Sequence, residues 1–385
     1  MTEVRDRPAR GSRFQRFLLP GFAFKAVVIG GGYATGRELA EFFVPAGPWG
    51  GLAAMAVAMA IWSAICAITF ALAVDTRSYD YRSFFRIVLG RFWFLYEIVY
   101  TLFVIVILAV YGAAAGAIGQ ALFGLPLIAG TLALSAGIVG FATFGNHAVE
   151  RLFQWVTIAL YLVYAIFLVL ALTRLGPDIA ANFSRPAIAP GWLGGGIDYA
   201  SYNVVGAVVV LPMLRHITDK RDALVAGLVA GPLAMAPAIV FFVAMIAFYP
   251  GVANEALPSD MILTRLGLPA FHLVFQAMIF LALLESGTGA VHAINERLAI
   301  ALQRGLPARA RLLCTLAMVG LCIFVADRFG LVALIARGYR LLAWAIIAVY
   351  LLPVLLAVAR RRLGRPTRSG AEGIGRGEGS TGRTD

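Results

Sequence analysis

Residues 22–43 read FAFKAVVIGGGYATGRELAEFF. The stretch is long and apolar enough to cross a bilayer, which takes about 20 residues of helix. Its middle is Gly30-Gly31-Gly32, and its second half carries Arg37, Glu38 and Glu41. Each glycine costs a helix roughly 1 kcal/mol relative to alanine. In lipid, a broken helix leaves N–H and C=O groups without partners, which is tolerated only where the backbone is buried in protein or lines a cavity. The stretch therefore reads as two half-helices with an unwound joint facing a binding cavity, as transporter sites are built. Gly30-x-Gly32-x-x-x-Gly36 superficially matches a dinucleotide-binding loop. That loop needs a preceding strand in a βαβ unit, and the flanks here are membrane-length apolar segments.

Composition agrees. Of 385 residues, 61% are hydrophobic and 14% charged, with a mean hydropathy of +0.85. Soluble domains carry about 25% charged residues, so this is a polytopic membrane protein whose partner is the lipid bilayer. The net charge of +12 does not point to nucleic acid, because Lys and Arg cluster in short loops and at both ends, as the positive-inside rule expects. Cys66, Cys314 and Cys322 lie in apolar segments, with neither metal spacing nor a disulfide framework. The first residues, MTEVRDRPARGSRFQRF, are basic but lack the small-residue cleavage site of a signal peptide.

Ten apolar runs follow: 17–44, 49–74, 92–122, 126–145, 150–174, 193–217, 223–249, 270–300, 310–327 and 335–359. A basic amphipathic stretch, 77–91, is expected to lie along the cytoplasmic interface. With the N-terminus inside, Arg5 to Arg16, Arg77 to Arg91, Arg151, Arg215 to Arg221, Arg297 to Arg311 and Arg360 to Arg368 are cytoplasmic. The opposite side holds Arg174, Arg185, Arg265 and Arg328. This asymmetry predicts both termini in the cytoplasm, in a bacterial-type inner membrane. Arg337 and Arg340, near the outer end of the last run, are placed to snorkel.

A second interruption lies in the sixth run, GIDYASYNVVGAVVVLP (196–212), where Asp198, Tyr199, Ser201, Tyr202 and Asn203 precede Gly206 and Pro212. The two interruptions are about half the membrane region apart. Broken segments at matching positions of two halves point to an inverted repeat. The domain reading is a cytoplasmic tail 1–16, a first five-helix repeat 17–174, an extracytoplasmic loop 175–192, a second repeat 193–359 and a disordered tail 360–385.

These features resemble the five-plus-five inverted repeat of the LeuT fold, in the amino acid–polyamine–organocation superfamily. More narrowly, IGGGYATGRELAEFF (29–43), ASYNVV (200–205) and ESGTGAVHAINER (285–297) resemble motifs of YkvI-like bacterial membrane proteins. Branched-chain amino acid symporters and spore-germination membrane subunits are similar at greater distance. The resemblance implies an all-α fold of about ten transmembrane helices with broken first and sixth helices. It also implies an ion-coupled secondary transporter of a small organic solute, amino acid-like. In LeuT-type sodium symporters, hydroxyls on the eighth span complete a sodium site with first-span carbonyls. That implies Ser286 and Thr288, with Ile29 and Gly32, as ion ligands here. The departure is Glu285, whose carboxylate equally suits proton coupling.

The candidate solute-binding residues are Gly30, Gly31, Gly32, Tyr33 and Thr35 on the first span, with Tyr202, Asn203 and Gly206 on the sixth. Their small, hydroxyl and amide groups suit a polar solute in an apolar pocket. The bland alternatives are close packing of small residues and interhelical hydrogen bonds. Arg37 and Glu41, four apart, can pair on one helix face. Glu38 points elsewhere, inward as a gate, unless all three sit wet at the interface. Lys25 reads as a snorkelling lysine or as a charge near a cation site. Glu285, Thr288, His292 and Glu296 share one face of the eighth span, and an intramembrane ionisable residue is a functional candidate by default. Glu296 and Arg297 mark the cytoplasmic exit.

Glu97, Thr101 and Tyr111 share a face of the third span, and Glu97 has a loop arginine within reach. Gly112-x-x-x-Gly116 reads as a packing seam. Gln154, Thr157, Tyr161 and Tyr164 form a polar stripe on the fifth. His147, His216 and His272 lie near span ends and are assigned no role. No HExxH, phosphate loop or nucleophile elbow occurs, so neither an enzyme nor an ATP-driven pump is supported. No cofactor is expected beyond a coupling sodium ion or proton. A non-transporting receptor on the same scaffold is the alternative, and a channel is disfavoured because no repeated filter sequence is visible.

Overall fold

The structure is a computed structural model that describes residues 12–144, 147–184, 188–217, 219–301 and 307–363. The outer parts of the two predicted tails, 1–11 and 364–385, lie outside the described residues. All regular elements among the described residues are helical. Ten helical passages run in order, and we number them as spans.

The first is built from Leu19–Val28, Gly31–Ala34 and Arg37–Phe42. The second to fifth are Gly47–Thr76, Phe94–Phe123, Leu127–Phe144 and His147–Arg174. The sixth joins Trp192–Asn203 to Val205–Val209, and the seventh is Lys220–Met245. The eighth is Pro269–Ala301 and the ninth Ala308–Ala333. The tenth runs through two π-helical turns and ends in Leu352–Leu363.

By length and composition five helices qualify as membrane-crossing, and two of them, Arg37–Thr76 (40 residues) and Arg309–Arg361 (53 residues), are twice the length one crossing needs. Each joins pieces of two successive spans across a glycine at positive φ. The first is at Gly47 (φ 81). The second is at Gly330 (φ 70, ψ 168), a backbone position that side chains with a Cβ rarely adopt.

The amphipathic stretch forms the helix Tyr81–Leu89, and Asp80 caps it by accepting from the Ser83 N–H at 2.9 Å. Phe84 and Phe85 are its buried side. Phe85 stacks on Tyr96 of the third span with centroids 3.8 Å apart. The segment 175–192, read as loop, contains the helix Gly176–Phe183, bent 70° from the fifth span. Pro177 in its first turn tolerates that start because its position needs no backbone donor.

Helices in lipid gain little from hydrophobic burial against one another, so close approach decides which pairs hold. The seventh and second spans form such a pair. A Cβ on Gly227 would lie 2.2 Å from the Ala67 backbone nitrogen, and one on Gly231 2.5 Å from the Met59 carbonyl. The predicted seam on the third span is real as well: a Cβ on Gly116 would meet the Leu127 carbonyl of the fourth span at 2.4 Å. Sequence reading found the second of these seams and missed the first, because Gly227 and Gly231 are embedded in an alanine-rich run.

Gly227→Ala is expected to destabilise the protein by about 1–3 kcal/mol, because backbone rather than a flexible side chain must move. Gly320, mid-helix on the ninth span, has nothing within 4 Å of its would-be Cβ. Gly320→Ala is expected to stabilise by about 0.5–1 kcal/mol. Thermal unfolding of the two variants in one detergent checks the opposite signs.

Candidate functional site

The first span breaks twice. Ile29 leaves the helix (φ -80, ψ 71), a single turn Gly31–Ala34 follows, and Gly36 at φ 82 starts Arg37–Phe42. The predicted joint at Gly30–Gly32 is thus two short joints around a turn that itself contains Gly31 and Gly32. At the second joint the freed groups find partners. The Thr35 carbonyl accepts from the Ser259 N–H at 3.0 Å. The Thr35 hydroxyl oxygen accepts from the Arg37 N–H at 3.3 Å. A Cβ on Gly36 would sit 2.9 Å from Phe241 and 3.1 Å from Pro258, so the joint is wedged against the seventh span and the segment 250–269. The sixth span is interrupted only at Val204, whose backbone stays helical (φ -61, ψ -15), and it tightens into a 3-10 turn at Leu211–His216.

A cavity of about 270 Å³ lies between the first, third, sixth, eighth and tenth spans. Its wall takes in Gly30, Glu38, Tyr202, Asn203, Gly206 and Ser286 from the predicted set. It also takes in Tyr100, Phe103, Tyr111 and Tyr339, which sequence reading did not assign to a site. The lining positions on the third span fall in its first two-thirds, and those on the sixth and eighth in their later halves. All of these parts face the side of the N-terminus. There the lining residues Val27 and Val209 are exposed, 38% and 41%, so the wall on that side reaches the surface of the molecule.

The opposite side is shut. Arg37 is 2% exposed. Its guanidinium donates to the carbonyls of Ala253 (2.6 Å) and Glu255 (2.8 Å) and to Glu41 Oε2 (2.5 Å). The expected Arg37–Glu41 pair therefore forms, and it ties the first span to the segment 250–269. Glu38, 5% exposed, turns inward, and its Oε2 accepts from the Tyr202 hydroxyl at 2.7 Å. Tyr202 packs on Tyr339 (4.6 Å) and on Tyr199 (5.7 Å). The alternative in which all three charges sit wet at the interface does not hold for Arg37 and Glu38. Removing a carboxylate from water costs several kcal/mol unless it is paired. One hydrogen bond to a charged group returns about 1.5–3 kcal/mol, so Tyr202 alone does not balance Glu38.

The predicted site residues divide into two clusters. Away from the main cavity, Tyr33 (1% exposed), Ile29 and Lys25 line a void of about 40 Å³ against Tyr161 and Tyr164. The Lys25 ammonium lies 4.6 Å from the Tyr161 ring centroid. Glu285 interacts electrostatically with the Tyr161 hydroxyl. Ser286, one residue on, lines the main cavity instead, because consecutive helical residues point about 100° apart. Thr288 donates to its own helix at Leu284 (2.7 Å). Asn203 likewise donates to the Tyr199 carbonyl (3.0 Å). The side chains of Gln154, Thr157 and His147 lie outside the described residues.

At the open side, Arg297 is sandwiched between the rings of Tyr81 and Tyr100, 3.8 and 3.7 Å from their centroids. It also pairs with Glu97 at 3.2 Å. Glu97 thus finds its arginine on the eighth span, not in a loop. Glu296 pairs with Arg311 at 3.5 Å. On the shut side, Arg340 meets Asp198 at 3.0 Å and His272 meets Asp260 at 2.6 Å. His216, also assigned no role, contacts the Gln15 carbonyl at 2.8 Å.

The chain matches no protein-family model, and no curated protein matches it. Among solved structures, MhsT in complex with L-phenylalanine aligns with a TM-score of 0.56 at 13% identity, over 92% of this chain and 99% of that one. A mutant of the Eremococcus coleocola manganese transporter aligns at 0.48 and 11% identity, over 97% and 92%. The MhsT likeness shows the fold: the chain is a multi-pass, all-α membrane protein of the LeuT type.

Arg37→Met is expected to destabilise the protein by about 3 kcal/mol, since it leaves two carbonyls and Glu41 without their donor. Thermal unfolding measures the loss, and a thiol-reactive reagent at an introduced Ser259→Cys is expected to react faster in the variant.

Proposed function

We propose that this protein is a secondary active transporter that moves a small organic solute by alternating access. The observation that carries the reading is the main cavity. It is bounded by the broken first span and the interrupted sixth, open toward one side and shut on the other by Arg37, Glu38 and Tyr202. A site at the junction of two broken spans that is reached from one side at a time is the arrangement alternating access requires. The state described here is open toward the N-terminal side, which the distribution of arginines assigns to the cytoplasm of a bacterial-type inner membrane.

The reading takes Gly30, Tyr202, Asn203 and Gly206 as solute-contacting residues, and the first span's Gly31, Gly32, Tyr33 and Thr35 as the hinge that moves them. Coupling is assigned to the first and eighth spans: Ile29 and Gly32 with Glu285, Ser286 and Thr288, using sodium or a proton. An amino acid or related solute is supported by the resemblance to YkvI-like and branched-chain symporter sequences, and by the likeness to a protein that binds L-phenylalanine. Alternating access comes from the rocking of one helix bundle against the other.

Reconstituted into liposomes, the chain is expected to accumulate a solute from a mixed radiolabelled panel when an ion gradient is imposed. Glu285→Gln is expected to cut uptake at least about tenfold, a loss of ~1.4 kcal/mol or more in coupling, without lowering the apo unfolding temperature. A sodium gradient that drives uptake, with loss in Thr288→Ala, assigns sodium; a pH gradient that does so assigns the proton. Binding with no flux under either gradient would make the protein a receptor.

A further inference from the structure

We propose that the group this cavity recognises is a cation, a protonated or quaternary amine, which pairs with Glu38 inside a cage of aromatic side chains. The proposal rests on the transport reading only in taking the cavity as the solute's site.

Among the described residues that line it, Glu38 is the one charged side chain; no Lys, Arg or His joins it. Five of the lining residues are aromatic: Tyr100, Phe103, Tyr111, Tyr202 and Tyr339. Ring faces carry negative charge density and attract organic cations. The rest of the wall is aliphatic or glycine apart from Asn203 and Ser286. Asn203 already uses its amide N–H on the Tyr199 carbonyl.

Among the described residues no Lys, Arg or His pairs with Glu38. Arg37, its neighbour in sequence, is committed to Glu41 and to the carbonyls of Ala253 and Glu255. The phenols of Tyr33, Tyr199, Tyr202 and Tyr339 interact electrostatically with Glu38. The Tyr199 hydroxyl is buried and has no hydrogen-bond partner. A nearly dry carboxylate with one phenol donor takes up either a proton or a counter-charge. An anionic solute would be repelled by it, and a neutral one would leave it unpaired. A solute carboxylate would find no cationic side chain on this wall.

An inorganic divalent cation fits the site poorly. Such ions take about six oxygen ligands or a cluster of His, Cys and carboxylate groups, and no group of three such residues occurs among the described residues. A cavity of about 270 Å³ with a largely apolar wall suits a carbon skeleton carrying the charge.

The proposal makes Glu38 a recognition residue for which a proton and an amine compete. Acidification is therefore expected to weaken amine binding. The facing phenols stay neutral on acidification. Among the carboxylates nearby, Glu41 pairs with Arg37 and Glu255 contributes its backbone carbonyl, so a variant at Glu38 isolates the effect.

The test is calorimetry and thermal shift on the purified full chain with four ring-matched probes: phenethylammonium, 2-phenylethanol, phenylacetate and L-phenylalanine. Phenethylammonium is expected to bind tightest of the four, and phenylacetate not at all. Glu38→Gln is expected to weaken ammonium binding about tenfold or more, since it replaces a charge-assisted contact with a neutral one. The same variant is expected to abolish the pH dependence and to leave the apo protein as stable as before or more so. Tyr202→Phe, which keeps the charge, is expected to weaken ammonium binding only a few-fold. Equal affinity for ammonium and alcohol, ammonium binding unchanged in Glu38→Gln, or no ammonium binding by the folded wild type would each overturn the proposal. Ammonium binding without liposome flux would overturn the transport reading and leave this one standing. Flux of a zwitterion that survives Glu38→Gln would do the reverse.

Discussion

A bilayer supplies no hydrogen-bond partner for a free backbone group, and the first span is where this chain meets that constraint most sharply. The first joint, at Gly30, lines the cavity, and the second is tolerated because protein surrounds it. The Thr35 carbonyl is taken by the Ser259 N–H. Gly36, at a positive φ and wedged against Phe241 and Pro258, leaves no room for a side chain. The segment 250–269 is therefore more than a connection between spans: it supplies the partners that let the first span break where it does. Arg37 adds two more carbonyls of that segment to the same tie. The shut side of the cavity and the integrity of the broken helix depend on one set of contacts.

That coupling gives Arg37 and Glu38 different duties although they are adjacent. About 100° of helical rotation separates them. Arg37 turns out to the segment 250–269, where backbone carbonyls and Glu41 balance its charge. Glu38 turns in to the cavity, where among the described residues the Tyr202 hydroxyl donates to it. Opposite charges side by side in sequence usually read as a local pair, and here they are not one. A buried carboxylate left short of partners at the edge of an open cavity is a local imbalance, and such imbalances concentrate at functional sites.

The open side is organised by a different interaction. Arg297 lies between two tyrosine rings and against Glu97, joining the interfacial helix Tyr81–Leu89, the third span and the eighth. Tyr100 belongs both to this cluster and to the cavity wall, so movement of the eighth span against the third alters cavity and cluster together. Charged contacts thus sit at both ends of the cavity. Its length is held by close packing of small residues, as in the seams of Gly227 and Gly116.

Much of this was legible in the amino-acid sequence, for reasons that are local. Membrane-length apolar runs, their number, the broken first span, the amphipathic stretch and the Arg37–Glu41 pair all follow from hydropathy, glycine content or helical spacing within a few tens of residues. Gly30, Tyr202, Asn203 and Gly206 were singled out because breaks mark candidate sites, and all four line the main cavity. Spacing on a single helix could not show that Ser286 lines the main cavity while Glu285 interacts with Tyr161, or that Tyr33 faces the fifth span. Nor could it bring Tyr100, Tyr111 and Tyr339, on the third and tenth spans, to the wall shared with Glu38. Those placements depend on which helix faces which, and in lipid that is decided by close backbone approach between segments more than a hundred residues apart. The sequence by itself determined that this chain crosses a membrane many times and that its first span is broken, because hydropathy and glycine content are local; only the tertiary structure decided where the joints fall and which carboxylate faces the cavity, because that depends on which helices meet.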